Sequence, residues 1–419
     1  MKKINSGVKK ITISLILRGI SVVSALAISV LIGRTLGAED LGDYNLASSI
    51  LFFVVMIAKW GLDTMALKNG KGDFQKQNSI LVAGVTTSTL VYAITVVFLL
   101  SFSNLFSESA HFLKILRIFL FCTLPLALVT IVSSSHKALG HTIFGNFLLE
   151  PFRFIFVLAA AGFFYLNQIV SIENLALSLL VYCLLALGLG QIGLYSKGIV
   201  KSRISFSEIK GLISKSTSFL IANSMSFLTT YTDIIMIGWM ASSHDVGVYS
   251  VAARISGLFA ILLVIVNSYI VPKLSVYYQE GKIRELETLA KYFTFWQGAV
   301  ALPFFIAILL IPKLILGVWG EEFQNGSSIL IYLSVAQFFN LLTGCVGYIL
   351  TISNNEKVVR NVSMISAILN LILNFIMIKT MGFQGAAIAT LISIFVQNAL
   401  WTYWVHKRLK IFIFPKFPL

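Results

Sequence analysis

The sequence predicts an all-α, polytopic membrane protein, with 12 transmembrane helices in two parallel-repeat six-helix bundles around a central cavity. Three observations predict it. The 419 residues are 57% hydrophobic and 12% charged, about half the charged share of a soluble domain, and mean hydropathy is +0.89. Apolar runs recur at the length of about 20 residues that a helix needs to cross a ~30 Å hydrocarbon core. One sequence pattern also returns 205 positions later, dividing the runs into two sets of six.

Reading apolar runs between charged or Gly/Asn/Ser breaks places spans near 11–33, 44–67, 78–101, 112–135, 142–166, 172–195, 216–240, 247–271, 289–312, 327–351, 361–379 and 384–405. The first follows Lys2, Lys3, Lys9 and Lys10 and resembles a secretory signal ending at Ala25-Leu26-Ala27. Arg18 interrupts its run, and residues 28–32 continue it past that point, so it reads as a retained span. The third, Ser79 to Phe102, holds no charge, and the ninth holds Pro303, which should kink it. The breaks are too short to hold a catalytic domain.

The formal net charge is +15. Nucleic-acid binding is one reading of it, but the distribution favours another. The amino terminus and alternate breaks carry 24 Lys and Arg, the opposite breaks 5, and Arg18, Arg153 and Arg254 lie inside spans. Cytoplasmic loops collect Lys and Arg, so both termini are expected in the cytoplasm. The acidic clusters Glu39-Asp40-Asp43 and Glu321-Glu322 fall on the other side. The cysteines, Cys122, Cys183 and Cys345, lie far apart in apolar runs, and the five histidines have no ligand spacing. His136 and His141 are expected to be solvated at a loop. Neither a disulfide framework, a metal site nor a cofactor is expected.

The repeat aligns Ile32–Ile50 with Ile237–Ile255 without gaps. Seven of nineteen positions are identical: Ile32/Ile237, Gly33/Gly238, Asp40/Asp245, Gly42/Gly247, Tyr44/Tyr249, Ala47/Ala252 and Ile50/Ile255. Each copy joins two spans, the first to the second and the seventh to the eighth. An offset of six spans inserts both halves in one orientation, as a parallel repeat. This gives two expected domains, 1–200 and 201–419. The Asp before Gly-x-Tyr is a candidate cap for the following helix.

Three segments carry a family resemblance. Gly33-Arg34-Thr35-Leu36-Gly37 with Leu41-Gly42-Asp43-Tyr44 resembles the first loop of polysaccharide-type exporters of the multidrug/oligosaccharidyl-lipid/polysaccharide superfamily. Asp233–Met240 with Val246-Gly247-Val248-Tyr249 resembles the matching second-half segment. Gly382–Thr390, preceded by Asn370 and Asn374, resembles the last helix pair. Together the three segments resemble O-antigen flippases of the Wzx type. That resemblance implies translocation of an undecaprenyl-pyrophosphate-linked oligosaccharide across the bacterial inner membrane, through a cationic cavity.

The intramembrane charges fit such a cargo. A charge at the bilayer centre costs roughly 2.5–3.5 kcal/mol on insertion scales and usually faces a cavity or a partner. Arg18 lies about 12 Å into the first span at 1.5 Å per residue, Arg153 near the middle of the fifth, and Arg254 on the eighth. Guanidinium stays protonated and donates a fork to phosphate oxygens. Arg18, Arg254 and Arg153, with Lys59 at the edge of the set, are therefore the candidate substrate-binding residues. Glu150, three residues from Arg153 on one helical face, and Asp233 on the seventh span are candidates for coupling to a proton or sodium ion. The competing reading pairs Glu150 with Arg153, and Asp233 with Arg254, as mutually neutralising charges. Asn223, Asn267, Asn370 and Asn374 read as interhelical hydrogen-bond partners.

Two other functions are weighed. A drug or cation antiporter of the same superfamily would favour acids in its cavity, whereas three arginines face two acids here. A polytopic polysaccharide polymerase, an enzyme, would need a long outer loop or an Asp-x-Asp donor motif, and neither is present.

Overall fold

A computed structural model describes residues 2–69, 72–101, 110–195 and 205–413. Lys71, Lys197, Lys201, Arg203 and Lys416, which enter the charge count, lie outside the described residues, as do the side chains of Lys2, Lys3, Lys9 and Lys10. Among the described residues the regular structure is helical, without a β-strand. In chain order the helices are α1 (Lys2–Ala58), α2 (Leu62–Asn69), α3 (Phe74–Ser101), α4 (Ala110–Phe121), α5 (Thr123–Ala138) and α6 (Thr142–Leu149). Then come α7 (Pro151–Leu166), α8 (Ile172–Tyr195), α9 (Phe206–Met240), α10 (Ser243–Ser256), α11 (Leu258–Gln279) and α12 (Ile283–Leu310). The last are α13 (Pro312–Leu316), a 3-10 turn (Glu321–Gly326), α14 (Ser327–Thr343), α15 (Val346–Ile352), α16 (Glu356–Met381) and α17 (Phe383–Leu409).

Eleven helical stretches among the described residues are long and apolar enough to cross a membrane. The first, Ile16–Ala58, is two spans bent at Gly37, which makes twelve. The protein is thus an all-α, multi-pass membrane protein, as the composition predicts. The first inter-span loop expected near 34–43 reduces to one residue. Gly37 has φ 87° and ψ −175°, a conformation closed to residues with a Cβ, and the helix resumes at once.

The spans are less regular than the apolar runs suggest. The second ends at Ala58, and Trp60 and Gly61 both take positive φ before α2 begins. Lys59 therefore stands at a helix end and not within a span. The fifth was expected to be continuous over 142–166, but it breaks at Glu150, between α6 and α7, with φ −111° and ψ −58° there. Pro151 is the physical reason: it lacks an N–H and its ring excludes the preceding turn, so it opens a new helix. Glu150 and Arg153 consequently do not share the face of one uninterrupted helix. By contrast, α12 runs through Pro303 without a break.

By internal contacts the chain forms two units. One comprises residues 1–36 with 43–227, the other 37–42 with 228–419. In the first, α5 packs on α2, α3, α6 and α8. Its core gathers Leu62, Met65, Ile80, Ala83 and Ile131. In the second, α17 packs between α14 and α16, and α12 lies on α11 and α14. A core of Leu274, Leu286, Val346, Ile349 and Val405 closes one end of it.

Within the second unit, residues 37–42 lie against the start of α10. A Cβ on Gly42 would collide with the carbonyl of Ser243, and one on Gly247 would collide with the carbonyl of Ala38. These positions correspond in pairs at the offset of 205: Gly42 with Gly247, Ala38 with Ser243. Two of the seven identities thus mark a reciprocal backbone crossing that only glycine permits. The caps of the two copies differ. In the second copy Ser242 accepts from the Asp245 N–H at 3.2 Å and donates to its carboxylate at 2.8 Å. Ser242, not the expected Asp245, is therefore the cap, and Asp245 holds the cap's hydroxyl through its carboxylate. The equivalent of Ser242 in the first copy is Gly37, which has no side chain to offer. There Glu322 supplies the missing acceptor, taking the Ala38 N–H at 3.0 Å.

Candidate functional site

A dense polar arrangement surrounds an intramembrane charge in the second unit. Asp233, on α9, sits in an apolar span, where an unsatisfied carboxylate is costly. Its Oδ2 accepts from the Tyr249 hydroxyl of α10 at 2.5 Å and from the Thr390 hydroxyl of α17 at 2.6 Å. Its Oδ1 accepts from the Asn374 amide of α16 at 2.7 Å. Asn374, fully buried, also donates to Asn370 Oδ1 at 3.0 Å. Asn370 in turn donates to Thr390 at 3.1 Å. Asn370 and Asn374 are one helical turn apart, so both meet the same neighbour.

Four helices thus converge on one carboxylate. Asn374 Oδ1 keeps no partner among the described residues. The partners of Asp233 are neutral donors; Arg254, the neutralising partner weighed above, is not among them. Oxygen-rich sites of this composition suit a proton or a hard cation. The repeat shows that this is a specialisation of the second unit, because the residue matching Asp233 at offset 205 is Ile28, a buried core residue.

The first unit holds the other candidates. Arg18 is exposed on α1 and pairs with no carboxylate among the described residues. Arg153, on α7, is half-buried. Its guanidinium lies 4.5 Å from the ring centre of Phe154 and 5.4 Å from that of Phe52. Among the described residues no ion pair joins it to Glu150, which is exposed at the α6–α7 break. Arginine stacked on aromatic faces keeps its N–H fork for an anion. Lys59 pairs with Asp63 at 2.6 Å, and both lie within electrostatic reach of Lys137 on α5, as does Glu150.

Sequence reasoning found the charges and missed partners. Tyr249 and Thr390 stood inside recognised motifs, yet nothing in the motifs showed that they face Asp233. Asn223 and Asn370 bridge helices as expected, Asn223 reaching Thr64 at 3.4 Å. The three cysteines are buried and free. His136 departs from expectation. It is buried, and its Nε2 lies 2.9 Å from the Gly190 carbonyl, because α8 packs over the end of α5.

Residues 8–277 match the family described as "Polysaccharide biosynthesis protein", and 218–376 match the family described as "MatE". A probable low-salt glycan biosynthesis flippase of Haloferax volcanii, Agl15, is 26% identical over 385 residues, covering 90% of this chain and 79% of that one. An Escherichia coli K12 protein, whose assignment as an O-antigen transporter is itself provisional, is 21% identical over 392 residues, covering 90% and 91%. Among solved structures, an inward-facing multidrug resistance MATE family transporter superposes with a TM-score of 0.77 at 15% identity, covering 93% of this chain and 94% of that one. The lipid II flippase MurJ superposes with a TM-score of 0.73 at 16% identity, covering 93% and 86%. Those two likenesses concern the fold. The first match spans more than half the sequence, and the chain belongs to the polysaccharide biosynthesis protein family.

Proposed function

We propose that the protein is a flippase for a lipid-linked oligosaccharide, moving an undecaprenyl-pyrophosphate-linked repeat unit of the O-antigen type from the cytoplasmic to the periplasmic leaflet of a bacterial inner membrane. It is a transporter and not an enzyme; the relatives are named for flipping and transport. The observation that carries the reading is the state of the first unit's intramembrane arginines. Arg18 and Arg153 stand in apolar spans with no carboxylate partner among the described residues, and Arg153 lies over the rings of Phe52 and Phe154. A permanent cation at that depth is costly, and an anionic headgroup offsets the cost. Arg254 in the second unit takes the same role in this reading, and Lys59 an accessory one, since Asp63 already engages it.

The excess of Lys and Arg on one set of breaks supports cytoplasmic termini. Of the coupling candidates, Asp233 has the better support. Its carboxylate gathers hydroxyl and amide donors from three other helices, and exchange of a proton or sodium ion at that carboxylate is the proposed coupling step. Glu150 lacks such a surround.

The test is genetic. Arg18→Ala, Arg153→Ala and Arg254→Ala should each reduce surface polysaccharide at least tenfold in the native host while protein levels in the membrane hold. Full export by all three would overturn the assignment. The antiporter reading draws on Asp233, an acid in a span. Energy-dependent efflux of a cationic dye, lost in Asp233→Asn and indifferent to the arginines, would favour it.

A further inference from the structure

A cavity of about 360 Å³ in the second unit lies outside the groups used above. Its walls come from three pieces of chain. Phe339 and Thr343, one turn apart, line it from α14, and the stripe Ala399, Thr402, Tyr403 and His406 lines it from α17. The third wall exists because Lys410 takes a left-handed conformation, φ 58° and ψ 24°. The chain therefore turns back after α17. Ile411 and Ile413 plug into the core beside Leu274 and Val405, and Phe412 sets its ring 6.0 Å from that of His406. The lining is almost wholly apolar.

His406 lines the mouth of the cavity, and Lys407 lies 5.7 Å from the ring centre of Tyr403, another lining residue. His406, Lys407, Arg408 and Lys410 are exposed. Lys407 lies 5.0 Å from the Trp404 ring centre and Arg408 5.5 Å from it, an arrangement suited to the membrane interface, where amphipathic rings settle at headgroup level. Glu287, which accepts from the Phe412 N–H at 3.3 Å, is also engaged by Lys291 at 2.6 Å. Thr402 Oγ1 and Trp401 Nε1 have no hydrogen-bond partner among the described residues.

We propose that this cavity is a binding site for an anionic phospholipid of the bilayer, with one acyl chain between α14 and α17 and the phosphate on the His406–Lys410 rim. Apolar depth and basic mouth complement the two ends of such a lipid, and basic pockets between membrane helices hold acidic headgroups elsewhere. The site is independent of the flippase reading.

The experiment uses the full-length protein in a neutral detergent, with dioleoylphosphatidylglycerol as probe and dioleoylphosphatidylcholine and inorganic phosphate as controls. Thermal denaturation and native mass spectrometry are the readouts. Phosphatidylglycerol should be retained and should raise the melting temperature saturably, at least tenfold more tightly than phosphatidylcholine, and phosphate alone should do neither. Ala399→Phe, which fills the cavity, should abolish retention. Lys407→Gln with Arg408→Gln, both at exposed positions, should erase the preference between the two lipids and carries the test if Ala399→Phe does not fold. Equal retention of both lipids by the unmodified protein, or an undiminished preference in the rim variant, would overturn the proposal. So would tighter retention of a polyprenyl pyrophosphate, which would make the cavity part of the cargo path.

Discussion

Asp233 carries the sharpest consequences at the scale of single residues. Its carboxylate accepts three hydrogen bonds from neutral donors, and bonds to a charged group contribute about 1.5–3 kcal/mol each. Asn374→Leu removes one such donor from a fully buried position and should lower stability by about that amount, read as a drop in the melting temperature of purified protein. Asp233→Asn should retain the fold and cost transport its dependence on a proton or sodium gradient; unaltered gradient dependence would remove Asp233 from the coupling role. The sequence made the charge legible, because an acid inside an apolar run stands out. It did not make the partners legible. Which faces of α10, α16 and α17 turn toward α9 depends on helix rotation, and Asp233 has Thr229, Thr230 and Thr232 on one side of it and Ile234 and Ile235 on the other, so its own neighbours do not point to its partners. Lys59 is the opposite case. Its i,i+4 relation to Asp63 is readable in the sequence, and the ion pair that forms leaves Lys59 less free to hold an anion.

At the scale of elements, the repeat explains more than its identities suggested. Gly42 and Gly247 are shared because α1 beyond Gly37 and the start of α10 touch backbone to backbone. Gly42→Ala or Gly247→Ala must push the two segments apart, and overpacking of this kind costs about 1–3 kcal/mol. Chemical denaturation should show each variant less stable by that amount, whereas Gly211→Ala, with open space around it, should be neutral or stabilising. The differing caps give a second prediction. Glu322→Ala should cost about 0.5–2 kcal/mol by stripping the cap from Ala38, while Glu322→Gln keeps an acceptor and should cost less. The motif announced a turn, but a cap borrowed over 284 positions leaves no local trace. Pro151 is a breaker inside a run that stays apolar, and hydropathy alone does not show the break it makes.

For the whole molecule, the number of spans and the class of fold follow from hydropathy with little ambiguity, because lipid demands closed helical hydrogen bonding. Orientation rests on the Lys and Arg count, 24 against 5. Reporter fusions at either terminus should read as cytoplasmic, and a single cysteine introduced at Glu39 should react with an impermeant thiol reagent added outside; the reverse labelling would invert the topology. The central claim is that the protein moves a pyrophosphate-linked oligosaccharide and that its intramembrane arginines hold the pyrophosphate. It is tested most directly in sealed vesicles containing the purified protein and a fluorescent polyprenyl-pyrophosphate oligosaccharide, by the rate at which label becomes accessible to an impermeant quencher. The account predicts protein-dependent translocation that falls at least tenfold in Arg18→Ala and Arg153→Ala, with partial recovery in the lysine variants. Translocation at the unmodified rate in both alanine variants, or none by the unmodified protein with a gradient of either ion imposed, would contradict it.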